Sequence, residues 1–391
     1  ELSAADSAFL SHPSRPILLV KKKANTGLSD AIAPGLTEIG VMLPYSPLHH
    51  LLLNDFGGPL IATSANLSGE PVLTDNTDVD TRLAHVVEAV LHHDRPIERP
   101  ADDPVFRHIA GEHRPIRLGR GFAPVELDLP FELEEPVLAV GAHMKNTVTL
   151  AWGNRAVISP HIGEMHTPRS LVVFEKTIED LQRLYNVRIE KLVCDAHPGY
   201  TTSRWAIKQD LPLFKVFHHH AHAASACYEC DAGDLDAPVL AFTWDGVGYG
   251  TDGTLWGGET LLGKPGEWQR VGSLRPFYLP GGEKAGREPW RSAAALCWET
   301  GHPYTVPTGD DALLFESWQR RINAPQTTAV GRLFDAAAAL TGICKRASFE
   351  GQGPMQLEAL CGNPGRHIEI TLENKDNLLI INWEPLVPAM V

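Results

Sequence analysis

Two stretches of this chain repeat one pattern, and that pattern restricts the fold more than any other feature. "VLAV" (137–140) leads through a polar turn to "NTVTLAW", the pair Gly153-Asn154 and "RAVIS"; further on, "VLAFTW" (239–244) leads through "DGVGYGTDG" to "TLWGGETLLG". Each reads as an apolar strand, a glycine or polar turn, and a returning strand or hairpin. Between them, "PRSLVVFEKTIEDLQRLYNV" has helical spacing and "KLVCDAH" reads as a strand; beyond them, "WRSAAALCWETG" and "GRLFDAAAALTG" read as helices. A duplicated, hairpin-bearing α/β lobe suits a two-lobed nucleotide-binding fold, in which backbone amides at glycine turns hold phosphate.

The region ahead of these lobes also has α/β character. "RPILLVKK" and "PLIATSAN" are strand-like runs, and "VDTRLAHVVEAVLHH" has helical spacing. The acidic stretch "VELDLPFELEEPV", with two prolines, reads as the separator. The expected division is a first domain over 1–127, a linker over 128–136 and a second domain over 137–391. Because "RPILLVKK" looks like an interior strand so soon after the start, and "NLLIINWEPLVPAMV" closes on an apolar run, the chain is expected to be a piece of a longer protein.

Charge narrows the partners. With 34 Lys plus Arg against 48 Asp plus Glu, the net charge of −14 would repel a polyanion, so extended nucleic-acid contact is disfavoured while a single nucleotide is not. Cys194, Cys227, Cys230, Cys297, Cys344 and Cys361 read as reduced thiols in a cytoplasm rather than a disulfide framework. No apolar run approaches the ~20 residues a bilayer span requires, so no membrane contact is expected.

Four histidines crowd "FHHHAHAASACYEC" (217–230). If its alanines make it helical, His218 and His222 project from one face a turn apart, as two imidazole ligands of Zn²⁺ or Fe²⁺ would. His219 stands where a zinc protease needs its glutamate, which argues against that chemistry. Asp245, ending "VLAFTW" at a glycine turn, is a candidate third ligand. The competing reading is an Ala/His-rich helix that packs or faces water. The lone Cys227/Cys230 pair lacks a second pair or a redox context.

Other stretches leave alternatives open in the same way. The glycines of "DGVGYGTDGTLWGGE" (245–259) imply close backbone approach to a ligand, or a hairpin with awkward turns. In "TSANLSGEP" (63–71), Ser64 and Asn66 bind phosphate or form local turns. In "RPIRLGRG" (114–121), Arg117 and Arg120 meet phosphate oxygens or are surface charge.

Taken together, the strings resemble one family. "SRPILLVKK", "IGVMLPYSPLHHLLL", "TSANLSGEP", "HDRPIERPADDPVFR" and "RLGRGFAP" are similar to the later part of a YrdC-like domain. "GAHMKNTVTLAWGNRAVISPHIGE", "DAHPGY", "HHHAHAAS", "WDGVGYGTDGTLWGGE", "EPWR", "GRLFDAAAALTG" and "SFEGQGPMQLEAL" are similar to an ASKHA-type (actin-like, ribonuclease H-type) carbamoyl-transferring domain. The order resembles the HypF carbamoyltransferases of nickel-iron hydrogenase maturation. Antibiotic O-carbamoyltransferases carry the two parts in reverse order, and the tRNA threonylcarbamoyl machinery usually carries them in separate chains.

The resemblance implies an α/β fold, a partial YrdC-like domain followed by a two-lobed ASKHA-type domain. It implies ATP with Mg²⁺ and carbamoyl phosphate as substrates, carbamoyl adenylate as intermediate, and the C-terminal cysteine thiol of HypE as acceptor. By matching position, Ser64, Asn66 and Arg117 would hold the phosphate or carbamoyl group. Lys145, Asn146 and the turn with Gly246, Gly248 and Gly250 would line the adenylate site, and His218, His222 and Asp245 would hold one divalent metal, zinc or iron. Glu288 and Arg291 of "EPWR" are candidates for the same cleft or a structural ion pair. Two departures stand out: the family's "DDSV" is Asp102-Asp103-Pro104-Val105, without the hydroxyl, and "HIGD" ends on Glu164. The family's acylphosphatase-like domain, zinc-finger pair, opening YrdC-like segment and closing ASKHA-type segment have no counterpart here, so the isolated chain is expected not to make carbamoyl adenylate. A transferase for a small molecule or tRNA, and a nucleotide-dependent binding module without turnover, are the alternative functions.

Overall fold

A computed structural model describes residues 2–23, 27–230, 236–362, 365 and 367–391. They fall into two units, Glu1–Lys215 and Val216–Val391.

The first unit begins with helix α1 (Ala4–Leu10), strands β1 (Ile17–Lys21) and β2 (Glu38–Val41), helices α2 (Pro47–Phe56) and α3 (Asn76–Arg82), and strands β3 (Val105–Ile109) and β4 (Glu112–Arg117). Its sheet runs β2-β1-β3-β4, with β1 and β3 parallel. Ser3 and Asp6 start α1 by a reciprocal capping box, and Leu10, Leu18 and Phe106 form a small core with Phe9 and Phe122. Two expectations fail here. "PLIATSAN" is not a strand: it joins no sheet among the described residues, and Ile61 is 80% exposed. The helix expected over 79–93 stops at Arg82. Val86, Val90 and Leu91 beyond it are exposed, and a helix without an apolar surface to pack on loses most of its stability.

The unit continues with β5 (Val125–Ala139), β6 (Thr149–Ile158), α4 (Pro168–Tyr185), β7 (Lys191–Asp195), α5 (Thr201–Ile207) and β8 (Leu213–Val216), in sheet order β6-β5-β7-β8. The acidic stretch read as a linker is therefore strand: its alternating Leu127, Leu133 and Val137 pair with Ala156, Gly153 and Ala151 of β6, and the prolines fall at register shifts. Gly153-Asn154 is likewise no turn. Gly153 takes φ +51° within β6 beside such a shift. Helix α4 reads as its sequence promises: Thr167 Oγ1 accepts from the Ser170 amide, Pro168 opens the first turn, and Asn186 closes it in the left-handed region. Its Phe174, Ile178 and Leu181 pack on Leu138, Leu150 and Leu192 of the sheet.

The first part of this unit is tied to the second by charge. Arg169 Nη1 lies 2.9 Å from Asp78, Arg99 Nε 2.6 Å from Asp180, and His161 Nδ1 2.7 Å from Asp102.

The second unit holds α6 (His218–Glu229), β9 (Val239–Tyr249), β10 (Leu255–Lys264), β11 (Glu267–Leu274), β12 (Phe277–Tyr278), α7 (Trp290–Glu299), α8 (Asp311–Gln319), β13 (Gln326–Thr327), α9 (Val330–Leu340), α10 (Gln352–Leu360), β14 (Thr371–Lys375) and β15 (Leu378–Asn382). Its sheet runs β12-β13-β10-β11-β15-β14, with β9 antiparallel to β10. Helices α7 and α9 bury Ala293, Leu296, Ala336 and Ala339 against Leu274, Phe277 and Trp383. The duplicated hairpin of the sequence is thus present as β5/β6 and β9/β10. In the first copy β7 lies parallel on the other side of β5; in the second, β9 pairs only with β10 among the described residues, and Leu240, Phe242 and Trp244 are exposed. No helix among the described residues is long and apolar enough to cross a membrane.

Candidate functional site

The histidine stretch is helical, as its alanines favour, and its burial pattern separates the four rings. His219, Ala223 and Cys227 recur every fourth residue and form the buried line of α6. His218, half-buried, and His222, exposed, flank that line, with ring centroids 4.8 Å apart. Strand β9 brings Asp245 to them: His218 Nε2 is 3.3 Å from Asp245 Oδ2. One ligand atom from each of His218, His222 and Asp245 lies within 4.8 Å of the other two. Two imidazoles and a carboxylate at that spacing fit one zinc or iron ion.

Electrostatics prepares these groups in opposite senses. Burial alone would raise the Asp245 carboxyl, but the His218 hydrogen bond and charge, together with the Gly246 amide, hold it below the ordinary value; that amide donates to Oδ1 at 2.6 Å. Burial pulls His219 down to about 4. Its ring nitrogens have no hydrogen-bond partner among the described residues, so His219 is a neutral packing residue behind the candidate ligands.

The glycines of β9 serve this packing. A Cβ on Gly248 would lie 2.4 Å from His219 Cε1 and 2.9 Å from His218 Cβ, and one on Gly250 would lie 2.2 Å from Trp256 Nε1. The expected glycine loop is thus mostly strand, with its turn confined to 250–254, where the Gly250 amide donates to the Thr254 carbonyl. Gly246 differs, since its added Cβ would meet only Arg332 Nη2, at 3.6 Å.

Glu259, which the sequence reading passed over, organises the same hairpin. It is fully buried, accepts from the Gly257 and Gly258 amides and the Thr328 hydroxyl, and receives Arg270 Nε at 2.6 Å. The signal was present in "WGGE", a carboxylate inside an apolar hairpin, where burial requires such partners. Glu288 and Arg291 form an ion pair at 2.5 Å, with the guanidinium over Trp290.

In the first unit, Asn146 is buried and its Nδ2 donates to the Val140 and Ala142 carbonyls at 2.9 and 2.8 Å. It braces the loop that carries Lys145, which is exposed at φ +48° with its amide 3.4 Å from Glu164. Ser64 is exposed, and Asn66 Nδ2 donates to the Leu67 and Glu70 carbonyls at 3.0 Å each, which fixes the turn. Arg117 gives Nε and Nη2 to the Asp103 carbonyl at 3.0 and 2.9 Å. Arg120 is committed to the Asp103 carboxylate, the Ser14 carbonyl and the ring of Tyr45. Cys227 is buried and Cys230 exposed; both are free thiols.

Three family models match nearly end to end. The Sua5/YciO/YrdC model, described as telomere recombination, covers residues 2–119; the HypF Kae1-like domain covers 132–229; and the second subdomain of the carbamoyltransferase Kae1-like domain covers 241–391. The carbamoyltransferase HypF of Synechocystis is 39% identical over 98% of this chain and 53% of its own length, and the probable HypF of Methanocaldococcus jannaschii is 32% identical over 93% and 49%. A crystal structure of full-length HypF in a phosphate- and nucleotide-bound form superimposes with a TM-score of 0.92 at 34% identity, over all of this chain and 62% of that one. That of T. kodakarensis HypF gives 0.90 at 30%, over all of this chain and 53% of that one. The chain spans about half the length of the curated relatives it matches. With a YrdC-like part, both Kae1-like subdomains and this likeness along its whole length, the chain belongs to the HypF carbamoyltransferase family.

Proposed function

We propose that this chain supplies two half-sites of a carbamoyl-transfer enzyme of hydrogenase maturation. In the YrdC-like part, an oxygen of carbamate, released from carbamoyl phosphate, attacks the α-phosphorus of ATP, which enters with Mg²⁺. The bond to pyrophosphate breaks and carbamoyl adenylate forms. In the Kae1-like part, the C-terminal cysteine thiol of HypE attacks the carbamoyl carbon; a C–S bond forms, the C–O bond to AMP breaks, and the thiol proton is released, leaving a thiocarboxamide. Carbamate itself is a poor electrophile, whereas the mixed anhydride has AMP as a good leaving group and must be kept from water.

The residues divide accordingly. The Ser64 hydroxyl, the turn fixed by Asn66, and Arg117, whose Nη1 makes no hydrogen bond among the described residues, serve the phosphates of the first half-site. Lys145 on the loop braced by Asn146, and the Gly246 backbone, serve the second; Gly248 and Gly250 let that strand pack closely. His218, His222 and Asp245 would hold the divalent metal, zinc or iron, which supplies Lewis-acid polarisation of a carbonyl or phosphate oxygen. The net charge of −14 suits a protein acceptor better than tRNA, and the free thiols suit a reducing cytoplasm.

The observation that carries this reading is the convergence of His218, His222 and Asp245 within a chain of this family. The test is transfer of label from carbamoyl-labelled carbamoyl phosphate to HypE by the full-length protein that contains this chain, with ATP. Label on HypE that disappears when its C-terminal cysteine is replaced by alanine is expected. No transfer, or transfer indifferent to that cysteine, overturns the reading.

A further inference from the structure

The strongest unassigned feature lies where the YrdC-like part meets the first Kae1-like lobe inside the first unit. His161, from the loop after β6, donates through Nδ1 to Asp102 Oδ2 at 2.7 Å, with the two side chains only 17% and 21% exposed. Its backbone amide also donates to the Leu118 carbonyl at 3.2 Å. One residue of the second domain therefore grips two segments of the first, the one that carries Arg117 and Arg120 and the one whose Asp103 accepts from both.

Those segments are in backbone contact. The Arg120 amide donates to the Asp102 carbonyl at 2.9 Å. A Cβ on Gly119 would lie 2.2 Å from that same carbonyl oxygen and 2.8 Å from Pro104 N, so only glycine lets the chains approach this closely. From this contact the Asp103 carbonyl takes both hydrogen bonds from Arg117, and the Asp103 carboxylate takes Arg120 Nε and Nη2 at 3.1 and 2.9 Å. Pro104 restricts Asp103 to extended conformations and so helps aim its carbonyl. Burial pushes the Asp102 carboxyl up, but the His161 hydrogen bond and the Arg117 charge more than offset it, so the carboxylate stays ionised and paired.

We propose that His161 is a positioning residue for the adenylating half-site: by holding Asp102 it fixes the 102–104 segment, and through the Asp103 carbonyl it fixes Arg117. The role rests on the reading above in which Arg117 meets the nucleotide phosphates. It makes the first half-site depend on a side chain of the following domain, and an arginine with its fork already aimed loses less entropy on binding phosphate. The Kae1-like part thereby completes the pocket in which its own substrate is made.

The test compares the parent full-length protein with His161→Ala and His161→Asn; the asparagine amide restores a hydrogen-bonding nitrogen near Nδ1. Two readouts are taken, hydrogen exchange at the Arg120 amide without nucleotide, and the Kd for ATP by titration. Expected are at least fivefold faster exchange and at least fivefold weaker ATP binding in His161→Ala, with His161→Asn within about twofold of the parent in both. Unchanged exchange in His161→Ala overturns the proposal. Faster exchange with unchanged ATP affinity also overturns it and leaves a purely structural seam. If the parent itself binds no ATP, the adenylation reading falls and the nucleotide role of His161 falls with it, while exchange still decides whether His161 holds the segment.

Discussion

His218 Nε2 and Asp245 Oδ2 stand 3.3 Å apart across the α6/β9 packing, although 27 positions separate them in sequence. A helix and a strand must therefore hold their mutual register for the two to meet, and Gly248 is what lets them approach. Gly248→Ala would place a methyl group 2.4 Å from the His219 ring. The expected cost is about 1–3 kcal/mol, with weakened metal binding. Chemical denaturation and metal titration of the variant check both; unaltered stability would mean that the helix has slack.

Asn146→Ala removes the amide shared by the Val140 and Ala142 carbonyls. The Ala142 carbonyl keeps the Thr202 hydroxyl at 3.3 Å, but the Val140 carbonyl loses its Asn146 donor, at an expected cost of about 1–3 kcal/mol, measured as a lower denaturation midpoint. Stability equal to the parent would restore a purely ligand-binding role to this residue.

Asp335 gives a pH prediction. Burial raises its carboxyl to about 6, even though Arg332 Nη1 is 2.9 Å away. Between the ordinary carboxylate value near 3.8 and about 6, the folded state keeps a proton that the unfolded state has released, so this residue's contribution to stability falls as pH rises through that window and is flat above it. Asp335→Asn, neutral throughout, lacks this dependence, so its stability relative to the parent should rise as pH is raised from 4 to 7. Denaturation curves at pH 4, 5 and 7 check this, and a gap independent of pH would contradict it.

Strand β9 offers a solubility prediction. Its edge away from β10 has no partner among the described residues, and Leu240, Phe242 and Trp244 are exposed along it; such an edge templates association with another chain. Phe242→Lys in the isolated chain should lower concentration-dependent light scattering, whereas equal scattering would show that this edge is not the contact.

What could be read in advance followed local rules. Helix α4 announced itself by Thr167, Pro168 and its apolar spacing, and α6 by its alanines; His218, His222 and Asp245, chosen by spacing and position at a strand end, do meet. The misses share a cause, since pairing and packing partners decide them. The acidic prolines of 125–137 looked like a linker because strand pairing with β6 leaves no local mark; the glycines of β9 left a ligand-facing turn and a hairpin open, and the hairpin is present, with Gly248 and Gly250 making room for the rings of His219 and Trp256. "PLIATSAN" and 84–93 erred in the other direction: apolar patterns promised elements, but Ile61, Val86, Val90 and Leu91 stand exposed.

The proposal that His218, His222 and Asp245 together hold one metal ion is checked by metal analysis after loading with Zn²⁺ or Fe²⁺ and removal of excess. Expected are one equivalent bound by the parent chain, near-complete loss in His218→Ala and His222→Ala, and at least tenfold weaker binding in Asp245→Asn. Metal content unchanged in His218→Ala would contradict it.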